Sequence, residues 1–242
     1  MNFPFKGIGF DWAYTLVDLG KEDDRSPLKK VYGYLSGKNL SLPDFEEFLN
    51  QSRIIFHPMI ENSRVTNQEA QFEIALEKLI YQFGIPFNED ISLKKLLEIY
   101  YLEVYSERKL YPEVIPVLNS LKNIGVRMGV VSNTTNPRFM KENEMQAAGL
   151  AAFFDFAIYS SDTTYRKPHP SIFQLAIESL KMKPEEILFV GDNISLDIVG
   201  AQNVGMKSAW INRERKNNSI DGEPDYELYS LTDLLRIDSS AS

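Results

Sequence analysis

Gly7-Ile8-Gly9-Phe10-Asp11-Trp12-Ala13-Tyr14-Thr15-Leu16-Val17-Asp18 is a short apolar run that ends in a carboxylate and a turn-rich segment. Four consecutive small or apolar residues suit a strand buried on both faces, as in a parallel sheet. A carboxylate leaving such a strand can attack a phosphorus or carbon centre or hold a metal. Taken alone, Asp11 is at least as readily a residue that caps a turn.

Downstream of about Leu110 the same texture returns. Arg127 to Val131, Ile187 to Val190 and Lys207 to Ile211 read as further strands, separated by amphipathic helices. One helix carries Val114, Val117, Leu118 and Leu121, with Pro112 expected in its first turn and Gly125 at its stop. A second carries Ile172, Phe173, Leu175, Ala176, Ile177 and Leu180.

Between Leu28 and Tyr105 the periodicity is purely helical: Leu28, Val31, Tyr32 and Leu35, then Phe72, Leu76, Leu79 and Ile80, then Leu93, Leu96, Leu97, Tyr100 and Tyr101. Turns are expected at Gly37-Lys38-Asn39, His57-Pro58 and Gly84-Ile85-Pro86. Lys21-Glu22-Asp23-Asp24-Arg25 reads as a solvated hinge, and Ile237 to Ser242 as a frayed tail. Tyr100, Tyr101 and Tyr105 stand at packing spacing. The predicted fold class is therefore α/β, a parallel-sheet core interrupted after its first strand by a helical insert.

Composition narrows the function. The chain has 242 residues, 43% of them hydrophobic, enough for a large core. A net charge of −8 with no basic block argues against nucleic acid, which needs clustered Lys and Arg. There are no cysteines, which excludes thiolate metal sites, and the two histidines, His57 and His169, have no partner at metal spacing. No membrane-length apolar run is present, and a cytoplasmic location is expected.

Three further signals lie near predicted strand ends. Ser132-Asn133-Thr134 offers hydroxyl and amide groups suited to an anion, or an ordinary helix cap. Arg166-Lys167-Pro168-His169-Pro170 places a lysine that can offset carboxylate charge. Gly191-Asp192-Asn193-Ile194-Ser195-Leu196-Asp197 supplies two carboxylates with the hard oxygen chemistry of Mg²⁺.

In this order, and with flanking text such as Leu110-Tyr111-Pro112-Glu113-Val114, Gly149-Leu150 and Gly205-Met206, the four segments resemble the motifs of the haloacid dehalogenase-like superfamily. The resemblance implies a doubly wound, Rossmann-like core (1–18 and 109–242) with a helical cap (19–108). It implies Mg²⁺, a small phosphorylated substrate, and Asp11 as nucleophile and metal ligand. Ser132 and Asn133 would bind the transferring group, and Lys167 would steady both Asp11 and the phosphoryl oxygens. Asp192 and the main-chain carbonyl of Ala13 would hold the metal, Asp197 would do so through a water, and Thr15 would support the first loop.

One residue departs from the phosphatase pattern D-x-D-x-T. Ala13 stands where an aspartate would protonate the leaving group and activate water, a contribution typically worth about 10²–10⁴ in rate. A phosphatase lacking that carboxyl ranks first. A phosphonate hydrolase follows, since that group is similar at Asp11-Trp12-Ala13 and relies on a cap lysine; Lys29, Lys30 and Lys38 are the available candidates. A 2-haloacid dehalogenase, which works without metal, and a silent phosphate-binding module rank lower.

Overall fold

The computed structural model describes residues 3–21, 23–38, 40–217 and 222–238. Glu22 of the expected hinge, Asn39 of the expected turn and residues 239–242 of the expected tail lie outside them.

Six parallel strands form the central sheet in the order β5-β4-β1-β6-β7-β8. They are β1 (Gly7–Phe10), β4 (Arg127–Ser132), β5 (Phe156–Tyr159), β6 (Ile187–Gly191), β7 (Lys207–Ile211) and β8 (Tyr226–Leu228). The register sets Phe10 beside Val130 on one side and Val190 on the other. The residues that follow these three strands therefore emerge together at one sheet edge, the crevice where open α/β sheets bind ligands.

Period-2 alternation assigns the two faces. Leu188 and Val190 join Ile8, Phe10, Met128 and Val130 in a cluster with Val117, Leu118 and Leu121 of α5 (Val114–Asn123). Ile187 and Phe189 turn the other way, onto Ile172, Phe173 and Ala176 of α7 (Pro170–Leu180) and Ala201 of α8 (Val199–Gln202). Helices thus cover both faces, and the fold is the doubly wound α/β class read from the sequence. α5 begins two residues later than Pro112, which sits in the preceding turn. Gly125 takes φ +80°, as a helix-stopping glycine should.

The helical insert comprises α1 (Arg25–Ser36), α2 (Phe45–Thr66), α3 (Phe72–Gln82) and α4 (Leu93–Ser106). Leu28, Val31, Leu35, Phe48, Leu76, Leu79, Ile80, Leu96 and Leu97 close around a hydrophobic cluster of their own. Asp44 caps α2 by accepting from the Glu47 N–H at 2.9 Å, and Ser92 caps α4 through the Lys95 N–H at 3.2 Å. At its neck, β2 (Val17–Asp18) pairs antiparallel with β3 (Lys109–Leu110).

Two expectations are corrected here. His57-Pro58 is no turn: α2 runs through it for 22 residues. Pro58 withdraws one donor from the Ile54 carbonyl, but Ile54 is 57% exposed, so water can serve that carbonyl while the buried face keeps its packing. Nor is the stretch before α1 merely solvated, because Arg53 grips Asp24 bidentately at 2.7 and 2.9 Å. That hydrogen bond, against partial burial, holds the Asp24 carboxyl below its ordinary range. β5 and β8 escaped the sequence reading, being short edge-side strands with weak alternation.

Among the described residues no helix is long and apolar enough to cross a membrane.

Candidate active site

Asp11 leaves β1 with its N–H donated to the Val190 carbonyl at 2.8 Å, which locks the residue to the neighbouring strand. Asp192 follows β6 directly, and Asp197 returns from a short π-helical turn (Ile194–Ile198). One carboxylate oxygen from each of the three residues lies within 4.8 Å of the others. Residues separated by about 180 positions along the chain thus meet because their strands are neighbours.

Lys167 sits at the centre, 2% exposed, donating to Asp11 Oδ1 at 2.5 Å and to Asp197 Oδ1 at 2.6 Å. Burial opposes its charge, but the two carboxylates outweigh burial and hold the ammonium above its ordinary pKa. One ammonium against three carboxylates leaves excess negative charge. Burial, reinforced by the Asp11 and Asp197 charges, pushes the Asp192 carboxyl well up. Asp197 is also raised, by burial first, although Lys167 pulls against the shift.

Asp197 has both oxygens engaged, since Oδ2 accepts from the Asn193 N–H at 3.0 Å. That turn needs Gly191: a Cβ there would lie 2.4 Å from Asp197 Cβ, Cγ and Oδ2. With Asp197 pinned by Lys167 and Asn193, the neighbour cannot give way. Gly191→Ala is expected to cost about 1–3 kcal/mol, the usual penalty of overpacking, readable as a lower urea midpoint at unchanged m-value.

Ser132 and Asn133, at the end of β4, line a cavity of about 280 Å³ together with Trp12 and Ala13. The Asn133 amide is already committed: Nδ2 donates to the Lys167 carbonyl at 3.0 Å, and Oδ1 accepts from the Lys167 N–H at 2.8 Å. It clasps the lysine's backbone and so holds the ammonium in place. Thr15 is fully buried, but its hydroxyl has no hydrogen-bond partner. Its carbonyl serves the loop instead, accepting from Arg213 Nη2 at 2.9 Å.

Arg213 was not singled out in the sequence, and it braces the whole first loop. It also donates to the Tyr14 carbonyl at 3.3 Å, pairs with Glu113 at 2.5 Å and lies 3.6 Å over the Tyr111 ring. Tyr14 adopts φ +53°, in the left-handed region.

Another group missed in the sequence stands on α6 (Arg138–Ala147), where Lys141 and Glu144 are buried beside Met140 and Met145. Glu144 accepts from Trp12 Nε1 at 3.0 Å and pairs with both Lys141 and Arg108. The available signal was two charges inside an otherwise apolar helical stripe. The tyrosines do pack, as expected. Tyr101 is 2% exposed and donates to Asn136, while Tyr105 donates to the Met140 carbonyl at 2.7 Å, joining α4 to α6. His169 stacks on Tyr165 at 4.0 Å. Lys29 and Lys30 are exposed, and Lys38 pairs with Asp90 at 3.2 Å; none lines the cavity.

A family model described as haloacid dehalogenase-like hydrolase matches residues 50–211. Pyrophosphatase PpaX of Bacillus cereus is 40% identical over 129 residues, a match covering 52% of this chain and 58% of that protein. The Bacillus mycoides protein of the same name is 39% identical, with 52% and 59% covered. The chain thus spans little more than half the length of these relatives. Over its whole length it is similar to the crystal structure of a HAD phosphatase from Thermococcus onnurineus, at 28% identity and TM-score 0.62, with 96% of this chain and 97% of that one covered. A 2-haloacid dehalogenase from Pseudomonas syringae shares the fold at TM-score 0.74 and 22% identity, with the same coverage.

Proposed function

Since the chain belongs to the haloacid dehalogenase-like hydrolases, we propose that it is a magnesium-dependent phosphatase of small phosphorylated compounds, with Asp11 as nucleophile. The observation that carries this is the trio of buried Asp11 and Asp197 and half-buried Asp192 beside Lys167. Three hard oxygen donors with one compensating ammonium fit a divalent cation and suit Mg²⁺. Asp11, Asp192 and the Ala13 carbonyl would hold it, with Asp197, whose oxygens are both engaged, acting through a water. Bound there, Mg²⁺ supplies positive charge to the phosphoryl oxygens.

The chain's own residues account for the rest. The Asp11 oxygen attacks phosphorus as the bond to the leaving oxygen breaks, giving an aspartyl-phosphate. Lys167 holds and aims the Asp11 carboxylate, and Ser132 receives the phosphoryl oxygens. Water then attacks phosphorus, releasing phosphate and restoring Asp11. Because Ala13 carries no acid, the leaving oxygen and the attacking water exchange their protons with solvent, and turnover is slow. We read residues 19–108 as a cap over a core of 1–18 and 109–242, the cavity lying between them.

Phosphonate hydrolysis ranks lower because none of the three candidate lysines of the insert reaches the cavity. Metal-free dehalogenation ranks lower because it has no use for three clustered carboxylates, and a silent binder has no use for a buried, lysine-paired Asp11.

The test is phosphate release from an aryl phosphate and from inorganic pyrophosphate, the second probe chosen for the relatives' name. Slow release that stops in EDTA and returns with Mg²⁺ is expected. Release indifferent to EDTA, or none from either compound, would sink the proposal.

A further inference from the structure

On the reading that Asp11 attacks a phosphoryl group, we further propose that Arg108 and Lys141 form a subsite for an anion on the leaving side of the substrate. The substrate class is then phosphorylated compounds with a second anionic group, either a carboxylate or another phosphoryl.

The cavity beside Ala13 and Ser132 is lined by four cations, Arg64, Arg108, Lys141 and Arg166. Among the described residues, two carboxylates pair with them. Glu69 pairs with Arg166 at 3.2 Å, and Glu144 is shared among Arg108, Lys141 and the Trp12 N–H. Arg64 is exposed and screened by water, so within the cavity Arg108 and Lys141 share the single paired charge of Glu144, with Asp11 acting on Lys141 from farther off, while the trio around Lys167 carries excess negative charge. A substrate with an anion at each end suits this split once a cation occupies the trio.

The donors left over point the same way. Arg108, whose side chain is 12% exposed, has a buried Nε with no hydrogen-bond partner among the described residues. Lys141 is 3% exposed and offers three donors, of which only one meets a carboxylate; the Trp12 ring lies 4.9 Å away. Burial draws its pKa down, Glu144 opposes this, Arg108 adds to the drop, and Asp11 also pulls upward. Buried donors without partners are rare in native proteins, and a ligand that fills them accounts for their retention. The cavity also borders a larger one of about 1050 Å³ that shares Arg64 and Arg108, so the anion can enter from that side.

The experiment measures kcat/KM with Mg²⁺ for ethyl phosphate, carboxymethyl phosphate and inorganic pyrophosphate, in the wild type, Lys141→Met and Lys141→Arg. One charge-assisted hydrogen bond corresponds to roughly a 10–100-fold preference for an anionic compound over ethyl phosphate. Lys141→Met should bring that ratio close to one, whereas Lys141→Arg, which keeps the charge, should retain most of it. Preference for carboxymethyl phosphate identifies a carboxylate, and preference for pyrophosphate a phosphoryl group.

A wild type that turns over ethyl phosphate equally well overturns the subsite and leaves the phosphatase standing. So does an equal loss on all three compounds in both variants, which marks a packing role. If nothing is turned over, calorimetry with pyrophosphate and Mg²⁺ separates the failures. Binding at least tenfold weaker in Lys141→Met keeps the subsite and removes the hydrolase reading. Binding that is equal in both proteins, or absent, removes both.

Discussion

Ala13→Asp is expected to raise Mg²⁺-dependent kcat on simple phosphate esters by about 10²–10⁴, the usual contribution of a positioned general acid–base. Ala13 is half-buried, follows Asp11 by two residues and lines the cavity with Ser132 and Asn133, so a carboxyl there enters the space the leaving oxygen must occupy. Lys167 bonds Asp11, Asn133 clasps the lysine, and Arg213 braces the loop from Tyr14 to Thr15. The gain should be largest for alkyl esters, whose alkoxide needs a proton to leave, and smallest for aryl phosphates and pyrophosphate. Phosphate release from an alkyl and an aryl ester, compared between the two proteins, checks this. A variant that folds, binds Mg²⁺ and gains nothing would show that the missing acid is not what limits this site.

Asp11→Asn should move activity and stability in opposite directions. Activity falls to background, a loss of at least ~10³-fold, because an amide cannot form the acyl-phosphate and removal of a nucleophile is seldom compensated. In EDTA, by contrast, the melting temperature should rise. Three clustered carboxylates, two of them buried and bonded to Lys167, lie beside one ammonium, and the substitution removes one negative charge while leaving Lys167 an oxygen acceptor. A relief of ~1 kcal/mol corresponds to about 2–4 °C for a chain of this size. Added Mg²⁺ should then stabilise the wild type more than the variant, since the variant has lost a ligand. Thermal melts of both proteins with and without Mg²⁺ test the point, and a variant that melts lower in EDTA contradicts the charge argument.

The core was legible because its signals are local. Ile187 to Val190 and Lys207 to Ile211 are apolar runs short enough to be strands, and both are strands. The helical run of Leu28, Val31 and Leu35 needs only the 3.6-residue period. Pro58 misled because a proline's cost depends on whether its orphaned carbonyl meets water, and that is decided by which face of α2 packs against the neighbouring helices. β5 and β8 are strands because a sheet edge was available to them, and their own side chains argue for it only weakly.

The site divides in the same way. Asp11, Ser132, Lys167 and Asp192 announce themselves by lying near strand ends in a recognisable order, and order along a chain is a property of sequence. Arg108, Lys141, Glu144 and Arg213 do not, because what makes them important is where distant segments meet. Lys141 and Glu144 are ordinary surface residues by composition, yet the packing of α4 against α6 buries them against Trp12, 132 residues away from Glu144.

By itself the sequence determined the α/β class and the helical interruption, which depend on periodicity, while the three carboxylates and the lysine were marked out only by the resemblance of four ordered motifs to a known family. The tertiary structure alone decided that one ammonium would lie among three carboxylates, that the Asn133 side chain would hold the lysine's backbone, and that Arg108 and Lys141 would share Glu144 beside the cavity. Charge balance and hydrogen-bond satisfaction are sums over neighbours in space, and the chain has no such neighbours until it folds.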